Sequence, residues 1–412
     1  MKESNPVARF LHSPQFVPFT IRDFRLLWTG AFLSFIGSWI QNVAQGILVM
    51  QITNDPAMLT WVTFTNTAPM SLLGPFAGTF ADMLNKRLVL IIAQLVYAAN
   101  ALFLAAAIHF GFLRLEFIFI VALINGFNTM IEIPTRQSLV SRVVPPENMA
   151  SAVPMQAMTF NLARIVGPAI GGILLARFGP QANYFANGLS YLALVFAATA
   201  IRADLSSAKR VAQPIVDLIV EGVRYTMKDR RLKMLFFMEC TVSIFGLAYI
   251  PLLPAFAIQV LKNGNLLGTI FTFVGIGAMI GLGTLIATSH RPIKRLLIMW
   301  AMPTMGLALV LISLTNTLWL IYPLFSLIGL CAIMQFNTTN TLFQTLSPDR
   351  MKGRVISMHV WALNGSSPLA LPLFGWLAKT YSVDVAMRCG GSVVLFGGIV
   401  AWLNGRRLHG VD

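Results

Sequence analysis

Apolar runs of about 18 residues or more, the length a helix needs to cross the hydrocarbon core of a bilayer, recur along the whole chain. Twelve can be marked out, near 26–52, 57–81, 88–110, 115–138, 152–177, 182–201, 234–259, 266–288, 295–314, 318–345, 355–378 and 385–404. A soluble core could not absorb them all. They do not alternate with a period of two, which argues against a membrane β-barrel. Charge content agrees: 11% of the 412 residues are Asp, Glu, Lys or Arg, less than half the roughly 25% of an ordinary globular domain. The expectation is an all-α membrane protein with twelve transmembrane helices.

Most connections are short, but residues 202–233 form a polar linker that separates six segments from six. Within it Val216, Ile219, Val220, Val223 and Met227 recur at helical spacing. That pattern predicts a short amphipathic helix on the membrane surface. The expected layout is a cytoplasmic tail over 1–25, a bundle over 26–201, the linker, a second bundle over 234–404 and a tail over 405–412. The first 25 residues are polar and contain Pro6, Pro14 and Pro18. The run that follows is too long for a signal h-region, so no cleaved leader is expected.

A net charge of +15 would suit a nucleic-acid binder. Its distribution assigns it to topology instead. Lys2, Arg9, Arg22 and Arg25 precede the first segment, and alternate connections carry Lys86 and Arg87, Arg136 and Arg142, the linker cluster, Arg291, Lys294 and Arg295, and Arg350, Lys352 and Arg354. Arg406 and Arg407 follow the last segment. The opposite side holds Arg114, Arg177, Lys262, Lys379 and Arg388. This bias places both termini and the linker in the cytoplasm, with no nucleic acid as partner.

The two sets of six resemble each other. PPENMASAV (145–153) and SPDRMKGRV (347–355) share a P-[E/D]-x-M-x-x-x-V pattern, RQSLV (136–140) and TNTLF (339–343) precede them, and GPAIGG (167–172) and LPLFGW (371–376) follow. Three matches in the same order support a duplicated six-helix unit. Duplication of this kind is typical of transporters that rock two halves about a midplane site.

GTFADMLNKR (78–87) resembles the major facilitator signature G-x-x-x-D-R-x-x-R-R. Gly78, Asp82, Lys86 and Arg87 match, and Met83 stands where the signature has Arg. The resemblance implies a cytoplasmic gate at Asp82; the alternative is that Lys86 and Arg87 only fix topology. ARIVGPAIGG (163–172) resembles the end of the signature of exporting major facilitators, with Gly167, Pro168, Gly171 and Gly172 in place. That implies a hinge, against ordinary small-residue packing. IEIPTRQSLV, ENMASAV, FNLARIVGPAIGG and FRLLWTGAFLSFIGSWIQNVA are similar to the bacterial transmembrane secretion effector branch, which includes enterobactin exporters. The likeness covers most of the first half and is thinner in the second.

The charges inside apolar segments are the next candidates, because a charge in hydrocarbon is costly and is kept for function or for a pair. Asn125, Asn128, Thr129, Glu132 and Arg136 share one helical face. Arg164, one segment later, is the expected partner of Glu132; a solitary Glu132 could instead carry a proton. Glu239, above Ser243 and Gly246, is either a membrane-edge residue or the best proton carrier. His359 could titrate near neutral pH or serve as a hydrogen-bonded pore residue. Gln41, Gln45, Asn337, Asn340, Trp361 and Asn364 suggest an aromatic, hydrogen-bonding cavity for an amphipathic molecule.

No phosphate loop, catalytic triad or metal spacing appears, so neither an enzyme nor a cofactor is expected. Cys240, Cys331 and Cys389 read as small buried hydrophobes. The resemblance implies a proton-driven exporter in the bacterial inner membrane, carrying a siderophore-like metabolite and open to a periplasmic or outer-membrane export partner. A broad multidrug or lysolipid translocator and a non-transporting sensor or assembly partner are the rivals.

Overall fold

The computed structural model describes residues 17–203, 205, 215–288, 291, 293–348 and 351–405. Of residues 75–83, 150, 154, 157, 215, 216 and 218 it describes the backbone only. Most of the tails, part of the linker, and Arg350 of the second repeated motif lie outside the described residues.

The regular elements of the described residues are all helices, with no strand among them. The principal helices are α1 (Arg22–Thr53), α2 (Pro56–Met83), α3 (Lys86–His109), α4 (Leu115–Val143), α5 (Met149–Phe178) and α6 (Pro180–Ala200). Then come α7 (Ile215–Lys228), α8 (Arg230–Thr241), α9 (Leu266–Ala287) and α10 (Lys294–Ile312). The last are α11 (Leu318–Leu346), α12 (Lys352–Val360), α13 (Leu371–Thr380) and α14 (Val383–Leu403). Nine spans among the described residues are long and apolar enough to cross a membrane, where the sequence suggests twelve.

Helix ends follow local chemistry. Asn85 caps α3 by accepting the Arg87 and Leu88 N–H groups, and Ser382 caps α14 by accepting that of Val385. Between α5 and α6 the chain turns at Gly179, whose φ of 75° is open to glycine, and Pro180 starts the next helix.

The chain forms two compact units. The first comprises Met1–Ala44, Phe76–Phe117 and Phe127–Val211. Its core gathers Phe24 and Leu27 of α1, Leu90 of α3, Leu139 of α4, and Leu194 and Ile201 at the end of α6. The α6 terminus is tied down by polar bonds as well. Asp23 accepts the Arg202 and Ala203 N–H groups, and Arg87 Nη2 donates to the Ile201 and Ala203 carbonyls.

The second unit comprises Gln45–Pro75, Ile118–Gly126 and Ala212–Asp412. Here α9 packs against α11, and α10 against α11 and α14. Glycine permits the α9–α11 approach: a Cβ at Gly277 would lie 1.7 Å from the Ser326 carbonyl oxygen, and one at Gly329 would lie 2.0 Å from that of Val274.

Two expected continuous helices are broken. The segment 234–259 runs as α8, a π-helical turn over Val242–Gly246, short 3₁₀ and α pieces, and a second π turn over Phe256–Val260. The segment 355–378 runs as α12, a π turn over Trp361–Gly365, a 3₁₀ turn over Ser367–Ala370, and α13. Pro254 and Pro368 lie in the breaks, where each removes a backbone donor. The duplicated Pro-x-x-Gly pattern therefore has two structural forms. Pro168 lies within continuous α5, whereas Pro372 opens α13.

The linker helix forms as α7 and packs on α12, with Gly222 against Arg354 and an Arg354–Glu221 ion pair. Val220 and Val223 of its apolar stripe stay exposed.

Candidate functional site

Glu132 and Arg136 are one turn apart on α4. Arg136 Nε donates to Glu132 Oε1 at 2.7 Å, and the two side chains are 12% and 8% exposed respectively. The guanidinium also lies over the Phe35 ring of α1, 4.5 Å from its centroid. Glu132 therefore has Arg136 as a partner on its own helix, besides the Arg164 that the sequence suggests. The Arg164 guanidinium lies 5.4 Å from the Trp39 centroid and 5.1 Å from that of Phe160. The i,i+4 spacing brings Glu132 and Arg136 together within one helix, with no second helix to align. Aromatic faces attract the Arg164 cation.

The polar face of α4 is partly a helix interface. Asn128 Nδ2 donates to the Ala93 carbonyl of α3 at 2.8 Å, and Thr129 Oγ1 lies 2.7 Å from the Tyr97 hydroxyl. Asn125 is half-buried on the same helix.

Of the gate residues, Lys86 is buried and its Nζ donates to Ser138 Oγ at 2.8 Å. Arg87 binds the end of α6, as described above. Gly78 and Asp82 fall on α2, but their side chains lie outside the described residues, so the gate assignment rests on sequence position. In α5, Gly167 and Gly171 lie against α1: a Cβ at Gly167 would meet Trp39 Cβ at 2.4 Å, and one at Gly171 would meet Ile40 Cα at 3.0 Å. Pro168 is buried between them, and Gly172 follows on the same continuous helix. These contacts are close small-residue packing.

The second unit brings together two residues that the sequence offers separately. Glu239, near the end of α8, is fully buried, and its Oε2 lies 2.7 Å from Nδ1 of buried His359 on α12. Its other carboxylate oxygen, Oε1, has no hydrogen-bond partner. A π turn follows each residue, and such turns often accompany functional sites. Ser243 Oγ, in the first π turn, donates to the Leu363 carbonyl of the second at 2.7 Å. The Trp361 ring stacks on Phe236 with an interplanar angle of 6°, and its Nε1 donates to the Ser71 carbonyl at 3.3 Å. Ser71 Oγ in turn donates to the Gly365 carbonyl at 2.5 Å.

The expected cavity residues divide by environment. Gln41 is buried and accepts from Asn187 at 2.6 Å, while Gln45 is half-buried. Asn337 and Asn364 are exposed and donate to the carbonyls of Ile333 and Val360 in their own helical segments. Asn340 accepts from Gln344. Cys240 and Cys331 are buried as expected of small hydrophobes, but Cys389 is exposed on α14.

The sequence reading passed over Phe35 and Phe160. Phe160 lies four residues before Arg164, which that reading did single out, so helical spacing was an available signal. Nothing in the sequence connects Glu239 to His359.

Helices long and apolar enough to cross a membrane, with charged side chains buried among them, describe a multi-pass membrane protein. The chain belongs to the transmembrane secretion effector family of the major facilitator superfamily, whose sequence profile matches residues 13–408. It is 23% identical over 365 residues to the staphyloferrin A transporter of Staphylococcus aureus, covering 87% of this chain and 90% of that one. It is 24% identical over 378 residues to the multidrug efflux pump Tap of Mycolicibacterium fortuitum, covering 89% and 91%. In fold it is similar to the nucleoside transporter NupG, with a TM-score of 0.70, 14% identity, and coverage of 93% of this chain and 98% of that one. It is also similar to a bacterial homologue of the human lysosomal transporter Spinster in an inward-facing, unoccupied conformation. There the TM-score is 0.72, the identity 12%, and the coverage 94% and 98%. The chain is a transporter rather than an enzyme.

Proposed function

We propose that this protein exports an amphipathic small molecule across the bacterial cytoplasmic membrane by proton antiport, through alternating access. Both termini would face the cytoplasm, in keeping with the Lys and Arg distribution. The observation that carries the coupling is the Glu239–His359 pair, which joins a fully buried carboxylate to an imidazole and leaves Oε1 without a partner. An uncompensated charge at such a site costs several kcal/mol, which favours a pair of zero net charge. One added proton converts it to a carboxylic acid beside an imidazolium, with Oε1 as the open position for that proton. Loss of the proton restores the neutral pair. The π turns that follow both residues support this reading, because such turns often accompany functional sites.

The cargo reading is a siderophore-like metabolite, supported by the likeness to the staphyloferrin A transporter. Broad drug efflux is the second reading, supported by the likeness to Tap. Two measurements test these proposals. In proteoliposomes with an imposed pH gradient, wild-type protein should drive exchange and Glu239→Gln should not; exchange that keeps its pH dependence in the variant removes Glu239 as carrier. In cells lacking the protein and grown in low iron, mass spectrometry should find a chelator retained inside and missing outside. An unchanged profile moves the cargo reading to drugs.

A further inference from the structure

We propose that α7 and the opening of α8 bind the headgroups of anionic phospholipid, and that this contact controls α12, the helix of His359. The inference rests on the topology and transport reading above and adds a regulatory lipid of the cytoplasmic leaflet.

The pattern on α7 is the first argument. At about 3.6 residues per turn, Ile219, Gly222 and Thr226 share an arc of about 60°. Gly222 and Thr226 are buried, and a Cβ at Gly222 would lie 3.1 Å from the Arg354 carbonyl oxygen of α12. This is the side held by the protein. On the next arc stand Val220, Val223 and Met227, with Val220 47% and Val223 38% exposed. Arg224 and Lys228 follow on the arc beyond, and both are exposed. An apolar strip beside a basic one suits the boundary between acyl chains and headgroups. Long basic stems can lie along such a strip while their heads reach the phosphates.

Position is the second. α7 ends at Lys228, and Arg230 opens a span that runs to Val260 and is long and apolar enough to cross a membrane. The end of α7 therefore stands at the level where that span leaves the hydrocarbon. Arg230 and Lys233, both exposed, add two more cations there.

Charge is the third. Two of the neighbouring carboxylates are engaged. Glu221 pairs with Arg354, and Asp229 caps α8 while pairing with Arg231. Asp217 is the exposed carboxylate of α7, set against exposed Arg224, Lys228, Arg230 and Lys233. A surface of this sign favours an anionic headgroup over a zwitterionic one, by about fivefold for each basic residue near the membrane.

The same helix is tied to the buried pair. Gly222 and Glu221 fix α7 to Arg354, which precedes His359 by about 7.5 Å of helical rise. Lys233 precedes Glu239 on α8 by about 9 Å. The headgroup site thus stands at the outer ends of the two helices that carry the pair. Lipid that holds α7 to the surface orders α12 and keeps His359 within reach of Glu239.

The test titrates delipidated full-length protein in detergent with equal amounts of phosphatidylglycerol and phosphatidylcholine of the same acyl chains, and reads the retained lipid by native mass spectrometry. Wild-type protein should retain phosphatidylglycerol about fivefold or more over phosphatidylcholine. Arg224→Gln/Lys228→Gln should bring the ratio towards one, and Arg224→Lys/Lys228→Arg should keep it. Equal retention by the wild type, or an unchanged ratio in the glutamine variant, overturns the site. So does displacement of the lipid by an equimolar amount of free glycerol phosphate, which would leave the apolar strip without a role. Control is read as pH-driven exchange in proteoliposomes. Wild-type exchange should be faster with phosphatidylglycerol present than in phosphatidylcholine alone. Gly222→Leu, which pushes α7 off α12, should keep the lipid preference and lose this response; Glu221→Gln breaks the same tie without added bulk. Wild-type exchange equal in both lipids overturns the control. Lipid preference without any exchange leaves the site and removes the transport reading. Exchange without lipid preference does the reverse.

Discussion

Glu239 Oε2 lies 2.7 Å from His359 Nδ1 although 120 residues separate them, and both side chains are buried. Each protects the other from the cost of an isolated charge. His359→Ala should therefore destabilise the protein by about 3–5 kcal/mol, because it leaves a carboxylate without its partner. The double variant Glu239→Gln/His359→Gln should recover much of that loss. Thermal unfolding in detergent measures both. A double variant less stable than His359→Ala would show that charge matching does not govern this pair.

The Glu132–Arg136 bond makes a second prediction, with Arg164 as its control. In a double-mutant cycle, Glu132→Gln and Arg136→Gln should show a coupling energy of roughly 0.5–3 kcal/mol, as expected of contacting residues. The cycle between Glu132→Gln and Arg164→Gln should show a smaller one, since Arg136 Nε already meets Glu132 Oε1 at 2.7 Å. The larger coupling appearing in the Arg164 cycle would make Arg164 the main partner of Glu132, as the sequence suggests.

What the sequence revealed and what it hid follows from the range of the interactions. Hydrophobic run length located the helices, because burial in lipid acts on each segment alone. Spacing within a helix could find Phe35 with Trp39 and Phe160 with Arg164. It could also find Glu132 with Arg136, an i,i+4 pair. Contacts between distant segments left no mark: neither Glu239 with His359 nor Ser71 with Trp361 has a local signature. The π turns were equally hidden. WALNG and VSIFG read as ordinary apolar helix, and the register shift becomes visible only where Ser243 reaches Leu363.

Close packing of α9 on α11 predicts a position-dependent response to the same substitution. Gly277→Ala would place a methyl group 1.7 Å from the Ser326 carbonyl oxygen, which is backbone and cannot rotate away. The helices must separate, at a cost of about 1–3 kcal/mol typical of overpacking. Gly283→Ala, six residues along the same helix, meets nothing within 4 Å. It should be neutral, or more stable by up to about 1 kcal/mol through helix propensity. Comparing the unfolding temperatures of the two variants checks this, and equal effects would contradict the packing argument.

Asp229 caps α8 at the boundary between the linker helix and the second set of spans, and it gives stability a defined acid dependence. Its side chain accepts the N–H groups of Arg231 at 2.8 Å and Leu232 at 3.2 Å. Partial burial alone would raise its pKa, but hydrogen bonds from the Arg231 side chain and from these two backbone groups outweigh it. With the charge of Arg231, they hold the carboxyl below its ordinary 3.8. A lowered folded-state value means that the stabilisation is present above 3.8 and is lost as pH falls through the folded value. Asp229→Ala should cost about 1 kcal/mol at neutral pH through loss of the cap. Asp229→Asn keeps a cap acceptor but cannot titrate. The stability difference between wild type and Asp229→Asn should therefore shrink as pH falls below 3.8, measured by unfolding in detergent across that window. A difference that stays constant with pH would show that the cap acts through its geometry and not through its charge.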